Sequence, residues 1–158
     1  MFKSCAVTGS FDPITLGHVD LVNRAKAVFD KVYVLMLVNP EKNYAFSKEE
    51  RLKMLHAVFD ECDGVEVCFY DGYTADFCKP RGIDVLIRGV RDEKDFEYEK
   101  QLANANYEYG GLTTYFLYAS EELLDVSSSG AKKALNSANL ETYMPKEAIA
   151  VMKERTNE

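Results

Sequence analysis

Five short apolar runs alternate along the chain with segments of helical period, and that alternation restricts the fold more than any other feature. Ser4–Thr8, Lys31–Val38, Val65–Tyr70, Asp84–Arg88 and Thr113–Tyr118 read as strands. Lys31–Val38 (KVYVLMLV) is apolar almost throughout, as expected of a strand covered on both faces. Thr15–Phe29 carries Leu21, Val22, Ala25, Val28 and Phe29 on one helical face. Ser47-x-x-Glu50 is a capping box that opens a helix with Leu52, Leu55, Val58 and Phe59 inward. A short helix is expected over Tyr73–Lys79, ending before Pro80. A long one follows over Arg91–Tyr109, stopped by Gly110-Gly111. Ser127–Asn136 and Pro145–Arg155 close the chain as helices, the second with Pro in its first turn. This order predicts an α/β fold, a single doubly wound domain over residues 1–158 with a five-stranded parallel sheet. Ligands of such sheets bind outside the carboxyl ends of the strands. That rule points to the loops after Thr8, Val38, Tyr70, Arg88 and Tyr118.

The charge balance then limits the ligand. Nineteen basic and 26 acidic residues give a net charge of −7, which argues against a uniformly basic nucleic-acid binder. An anionic ligand would need a local cationic cluster. The 158 residues can bury a core without metal or disulfide staples. Cys5, Cys62, Cys68 and Cys78 form no CxxC pair, and no His stands at ligand spacing from them, so no protein metal site is expected. Cys5, Cys62 and Cys68 read as buried free thiols. The start, MFKSCAVTGSFDP, has no apolar leader segment, and no run approaches membrane-spanning length. A cytoplasmic protein with no membrane partner is expected.

The first loop carries the strongest chemical signal: Gly9-Ser10-Phe11-Asp12-Pro13, then Thr15-Leu16-Gly17-His18. It matches neither G-x-G-x-x-G nor a Walker A loop. It still has the make-up of a phosphate site. Gly9 lets a backbone approach closely after the strand. Thr15 is a plausible N-cap, and the helix start offers N–H groups and a positive dipole end. His18 stands at that end, either as a ligand-facing donor or as a satisfied helix-start histidine. Lys42 lies in the loop after the second strand, and Thr74 near the loop after the third. Arg88 breaks the apolar run DVLI at the end of the fourth strand. An arginine there is costly unless it meets a carboxylate or a bound anion. Glu99 shares a helical face with Phe96, Leu102 and Ala103 and wants a partner: Arg88, Arg91 or a ligand hydroxyl. Ser127-Ser128-Ser129, with Lys132 close behind, starts a helix at the same edge. His18, Lys42, Arg88, Arg91 and Lys132 together supply a cationic pocket, and His56 reads as structural. With no covalent nucleophile in these loops, direct in-line transfer to an anionic acceptor is the chemistry that the residues suit.

GSFDPITLGH, LIRGVRDEKDFEYEKQLAN and VSSSGAK resemble three segments of the phosphopantetheine adenylyltransferase family, and the resemblance covers nearly the whole chain. It implies a Rossmann-like nucleotidyltransferase fold and a homohexamer. It also implies transfer of the adenylyl group of ATP to 4′-phosphopantetheine, with Mg²⁺, giving dephospho-coenzyme A and pyrophosphate. By matching positions, His18, Lys42 and Arg91 would carry catalysis. Ser10, Lys42, Thr74 and Arg88 would hold the acceptor. Ser10, Phe11, His18, Gly89, Val90, Arg91, Glu99 and the run Leu123, Leu124, Asp125, Val126, Ser127, Ser128 and Ser129 would hold ATP. Leu123 stands where an aromatic usually precedes the serines. Three other readings remain open: a related transferase acting on nicotinamide mononucleotide or a polyol phosphate, a nucleotide sensor without turnover, and an α/β interaction module.

Overall fold

The computed structural model describes residues 3–155. Five parallel strands form one sheet: β1 (Ser4–Gly9), β2 (Lys31–Leu37), β3 (Val65–Tyr70), β4 (Val85–Val90) and β5 (Thr113–Tyr118), in the order β3-β2-β1-β4-β5. The helices are α1 (Leu16–Lys26), α2 (Lys48–Phe59), α3 (Thr74–Cys78), α4 (Glu93–Gly110), α5 (Ser128–Lys133) and α6 (Lys146–Glu154). Each strand is followed by a helix, as the alternation predicted.

Strand periodicity divides the core in two. Cys5, Val7, Val34, Met36 and Ile87 face one side, where Val22, Leu55, Phe59, Ala131 and Ile149 of four helices cover them. Ala6, Leu35 and Leu86 face the other side, under Ala75, Phe77 and Cys78 of α3. Both faces of the central strands are therefore buried, which is why β2 reads as an unbroken apolar run.

Pairing is uneven across the sheet. Three ladders each run six residues, from Ser4↔Lys31 to Gly9↔Met36, from Val32↔Val65 to Leu37↔Tyr70, and from Val85↔Thr113 to Val90↔Tyr118. Between β1 and β4 only Ala6↔Leu86 and Val7↔Ile87 pair. The crossover direction reverses at this junction, and the strands part there toward their carboxyl ends.

Several local expectations need correction. α1 stops at Lys26, because the Val28 N–H turns back to the Ala25 carbonyl at 3.0 Å; Val28 is thereby rotated off the apolar face and is 71% exposed. β4 runs past Arg88 to Val90, since Arg88 and Gly89 still pair with Phe116 and Leu117. α3 does end before Pro80, at Cys78, and a separate 3₁₀ turn over Lys79–Arg81 carries the chain on. Asp92 caps α4 through its carboxylate, so Arg91 lies outside the helix. α4 ends on Gly111 at φ 68°, a conformation that a side chain would strain. α5 is only Ser128–Lys133, and Pro145 sits at the N-cap of α6 rather than in its first turn. Cys62 and Cys68 are half-buried, whereas Cys5 and Cys78 are buried. Burial pushes the Cys5 thiol up to about 12, which leaves it inert.

Candidate active site

One cleft of about 500 Å³ opens at the carboxyl edge of the sheet, over the β1–β4 junction. Its walls come from the loops after β1, β2, β4 and β5. The loop after β3 does not contribute. Ser10, Phe11, His18, Lys42, Arg88, Gly89, Val90, Arg91, Glu99, Leu123, Val126, Ser127, Ser128, Ser129 and Lys132 all line this cleft. Thr74, Leu124 and Asp125, expected at ligand contacts, are not part of its wall. Thr74 begins α3 beyond the edge strand β3. His56 lies elsewhere, half-exposed and 2.7 Å from Asp60.

The first loop folds as its residues dictate. Gly9 ends β1 with the Phe11 ring 3.4 Å from where a side chain would begin. Phe11 takes φ 47° and is held there by burial of its ring, which meets the edge of His18 at 4.8 Å. Thr15 then caps α1 in a reciprocal box. The His18 N–H donates to Thr15 Oγ1, and the Thr15 N–H donates to His18 Nδ1 at 3.0 Å. A nitrogen that accepts a backbone N–H carries no proton, so the ring is neutral with its proton on Nε2. Burial, then the positive charges of Arg88 and Arg91, lower its pKa to about 4. The two readings of His18 therefore coincide: the contact that satisfies it as a capping residue also fixes the tautomer that a ligand-facing donor needs.

The helix start offers fewer free donors than expected. Leu16 N–H donates to the Tyr143 carbonyl at 2.8 Å, and His18 N–H is taken by Thr15. Of the first three helical N–H groups, only that of Gly17 has no bond among the described residues.

The cationic cluster is largely neutralised from within. Arg88 donates from Nε and Nη2 to the two Glu99 oxygens, each at 2.7 Å, and from Nη1 to Thr8. Of the three partners open to Glu99, Arg88 is the one used. Glu99 is the buried residue of α4, while Phe96 on its expected stripe is exposed. Arg91 meets Asp95 at 2.8 Å and the Val126 carbonyl at 3.4 Å. Lys132 lies 3.5 Å from the buried carboxylate of Asp12. That carboxylate also accepts the Ala45 and Phe46 N–H groups at 2.9 Å, tying the first loop to the second. Lys42 is exposed, and its ammonium has no partner among the described residues. A fixed constellation of donors, neutral overall and open on one side, suits an anion whose charge is spread over several oxygens.

The serines divide the work. Ser127 caps α5 by accepting the Gly130 N–H, and Ser128 donates to the Pro13 carbonyl, which joins this segment to the first loop. Ser129 is exposed on the cleft wall. The sequence reading missed Arg51 and Asp12. Arg51 heads the inward stripe of Met54, Leu55 and Phe59 and is buried with them, so its place at i−3 and i−4 of two apolar residues was the available signal. Asp12 lay in the motif, but its partners stand 33, 34 and 120 residues away.

Comparisons with known proteins give the family and the fold. A cytidylyltransferase-like family model matches residues 6–134. A phosphopantetheine adenylyltransferase of Thermotoga neapolitana is 43% identical over 152 residues, covering 95% of this chain and 94% of its own. One from Cutibacterium acnes is 42% identical, covering 94% and 95%. Among solved structures, Plasmodium falciparum nicotinic acid mononucleotide adenylyltransferase, complexed with APC, superposes with a TM-score of 0.68 at 14% identity, covering 99% of this chain and 96% of that one. The last likeness speaks to the fold alone. On sequence, this chain belongs to the phosphopantetheine adenylyltransferase family, within the cytidylyltransferase-like nucleotidyltransferases.

Proposed function

We propose that this chain joins ATP and 4′-phosphopantetheine to give dephospho-coenzyme A and pyrophosphate, with the cleft over the β1–β4 junction as its active site. The observation that carries the site assignment is the His18 capping box, which presents a neutral Nε2–H beside the cationic side chains of the same cleft. An oxygen of the acceptor phosphate attacks the α-phosphorus of ATP. The bond to the bridging oxygen breaks, and pyrophosphate leaves with that electron pair. The attacking phosphate is already ionised, so no general base is required. His18 donates its Nε2 proton as a hydrogen bond to the α-phosphoryl oxygens as charge moves onto them. Lys42 holds the acceptor, and Arg91 the nucleotide phosphates. Arg88 reaches the acceptor phosphate from a fork held rigid by Glu99. Leu123 gives the adenine apolar cover.

Mg²⁺, when bound, would supply charge neutralisation on the nucleotide phosphates. Among the described residues no group of three or more His, Cys, Asp or Glu could hold an ion. The wall carboxylates Asp12, Asp20 and Asp95 each face a cation, Lys132, Arg24 and Arg91. The residues therefore do not fit a protein-held metal. A homohexamer is the assembly proposed. Phe96, Tyr98, Tyr107 and Tyr109 of α4 and Tyr115 and Tyr118 of β5 are large apolar side chains left exposed, as at contact surfaces. Four unpaired cysteines suit the reducing cytoplasm.

Pyrophosphate release from ATP and Mg²⁺ with phosphopantetheine, nicotinamide mononucleotide and glycerol phosphate in parallel tests the reading. Release with phosphopantetheine alone is expected. Release with another acceptor and none with phosphopantetheine would overturn it. Sedimentation velocity reads the assembly.

A further inference from the structure

Arg51 is 2% exposed and makes no ion pair among the described residues. Buried guanidinium groups ordinarily sit against a carboxylate, as Arg88 does here. Arg51 instead meets neutral acceptors. Its Nη1 donates to the Ser10 carbonyl at 2.9 Å, and its Nε to the Ser47 carbonyl at 3.4 Å. The plane of the fork lies over the Tyr44 ring, with Cζ 3.9 Å from the centroid. Tyr44 in turn closes the second loop on itself. Its hydroxyl accepts the Asn39 N–H at 2.6 Å and donates to the Asn39 carbonyl at 3.2 Å. The Asn39 carbonyl also takes the Lys42 N–H at 3.1 Å. One side chain thus bridges two cleft-lining loops: the Ser10 loop by a hydrogen bond, and the Lys42 loop by a stack. Arg51 itself is not part of the cleft wall.

We propose that Arg51 is a positioning residue, which fixes the Ser10 and Lys42 loops against each other through the Ser10 carbonyl and the Tyr44 ring. Lys42 has no anchor on its ammonium, so its reach depends on the loop beneath it. That loop is tied from one side by Asp12 at Ala45 and Phe46, and from the other by Arg51 at Tyr44. The planar fork matters more than the charge. A lysine keeps the charge but cannot both stack and hold the Ser10 carbonyl.

The inference rests on the functional reading above for the role of Lys42, and its test has one arm that does not. Amide hydrogen exchange of the segment 39–46 is measured in the wild type, Arg51→Lys and Tyr44→Leu. Both variants are expected to exchange at least about fivefold faster there, with β1 and β2 unchanged. Tyr44→Leu leaves Arg51 in place, so it serves if Arg51→Lys fails to fold. The second arm reads acceptor KM against kcat at saturating ATP. Arg51→Lys should raise the phosphopantetheine KM about tenfold without rescue by the retained charge. Adding Lys42→Ala to it should cost much less than Lys42→Ala costs in the wild type. Unchanged exchange in 39–46, wild-type KM in Arg51→Lys, or a full Lys42→Ala penalty in that background would each overturn the proposal. A wild type that exchanges as expected yet turns over no phosphopantetheine would instead sink the functional reading and leave the clamp standing.

Discussion

Replacing His18 by Gln separates its structural role from its ionisation. A Gln at this third helical position can accept the Thr15 N–H through its side-chain carbonyl, as capping boxes commonly do. The variant keeps the cap and has nothing to titrate. In the wild type the imidazole is held neutral, with its pKa lowered from 6.5 to about 4 by burial and by the charges of Arg88 and Arg91. The unfolded chain takes up a proton near pH 6.5, whereas the folded chain does not until near pH 4. The unfolded state therefore binds more protons inside this window, and stability falls as pH drops through it. From about pH 7.5 upward both states are neutral and the residue contributes no slope. Linkage gives a loss of about 1 kcal/mol at pH 5.5 that grows to about 3 kcal/mol near pH 4. All other groups titrate alike in the two proteins, so the difference isolates His18. Urea unfolding at pH 7.5, 6.5, 5.5 and 4.5 is the assay. The wild type should match or exceed His18→Gln at pH 7.5 and lose ground to it by these amounts on acidification. Parallel curves down to pH 4.5 would mean that the imidazole is not held neutral, and that the Thr15 N–H does not set its tautomer.

Three further outcomes are expected. Arg88→Lys should raise the acceptor KM about tenfold or more with little change for ATP, because one ammonium cannot serve both Glu99 oxygens and the Thr8 carbonyl; a raised ATP KM with a normal acceptor KM would reverse the assignment. Asp12→Asn should lower stability by about 1–3 kcal/mol, since an amide cannot accept both the Ala45 and Phe46 N–H groups without turning a donor inward; an unchanged urea midpoint would count against it. Leu123→Asp should weaken ATP binding in calorimetric titration by desolvating a carboxylate at the cleft wall, while Leu123→Tyr should leave it equal or tighter by at most about 1 kcal/mol; equal affinity in all three would remove residue 123 from the adenine pocket.

What was legible in the sequence followed from rules of short range. Strand and helix alternation set the sheet, and the sheet set the edge where the cleft lies. The Ser47–Glu50 box formed as spaced. Arg88 was among the partners open to Glu99, but which partner each charge takes was not legible, because pairing is decided by chain crossings. Asp12 reaches Lys132 across the molecule, and the Arg88–Glu99 fork needs α4 to lean over β4. A cationic cluster was visible, whereas its internal neutralisation was not. Arg51 was hidden by the habit of assigning charged residues to the solvent side of a helix. Val28 failed for the opposite reason: its apolar side chain fitted a stripe that ended one turn earlier.

The short pairing between β1 and β4 gives this sheet an edge in its interior. β3 and β5 bound it on the outside, and beyond Val7 and Ile87 two more backbone margins face each other with no ladder between them. Proteins shield exposed margins with inward charges, and Arg88 does this here by donating to the Thr8 carbonyl. The side chain proposed to meet the acceptor is thus also the one that seals the seam. If Arg88 meets the acceptor as proposed, substrate preference and sheet cohesion share one residue, and selection on either would carry the other with it.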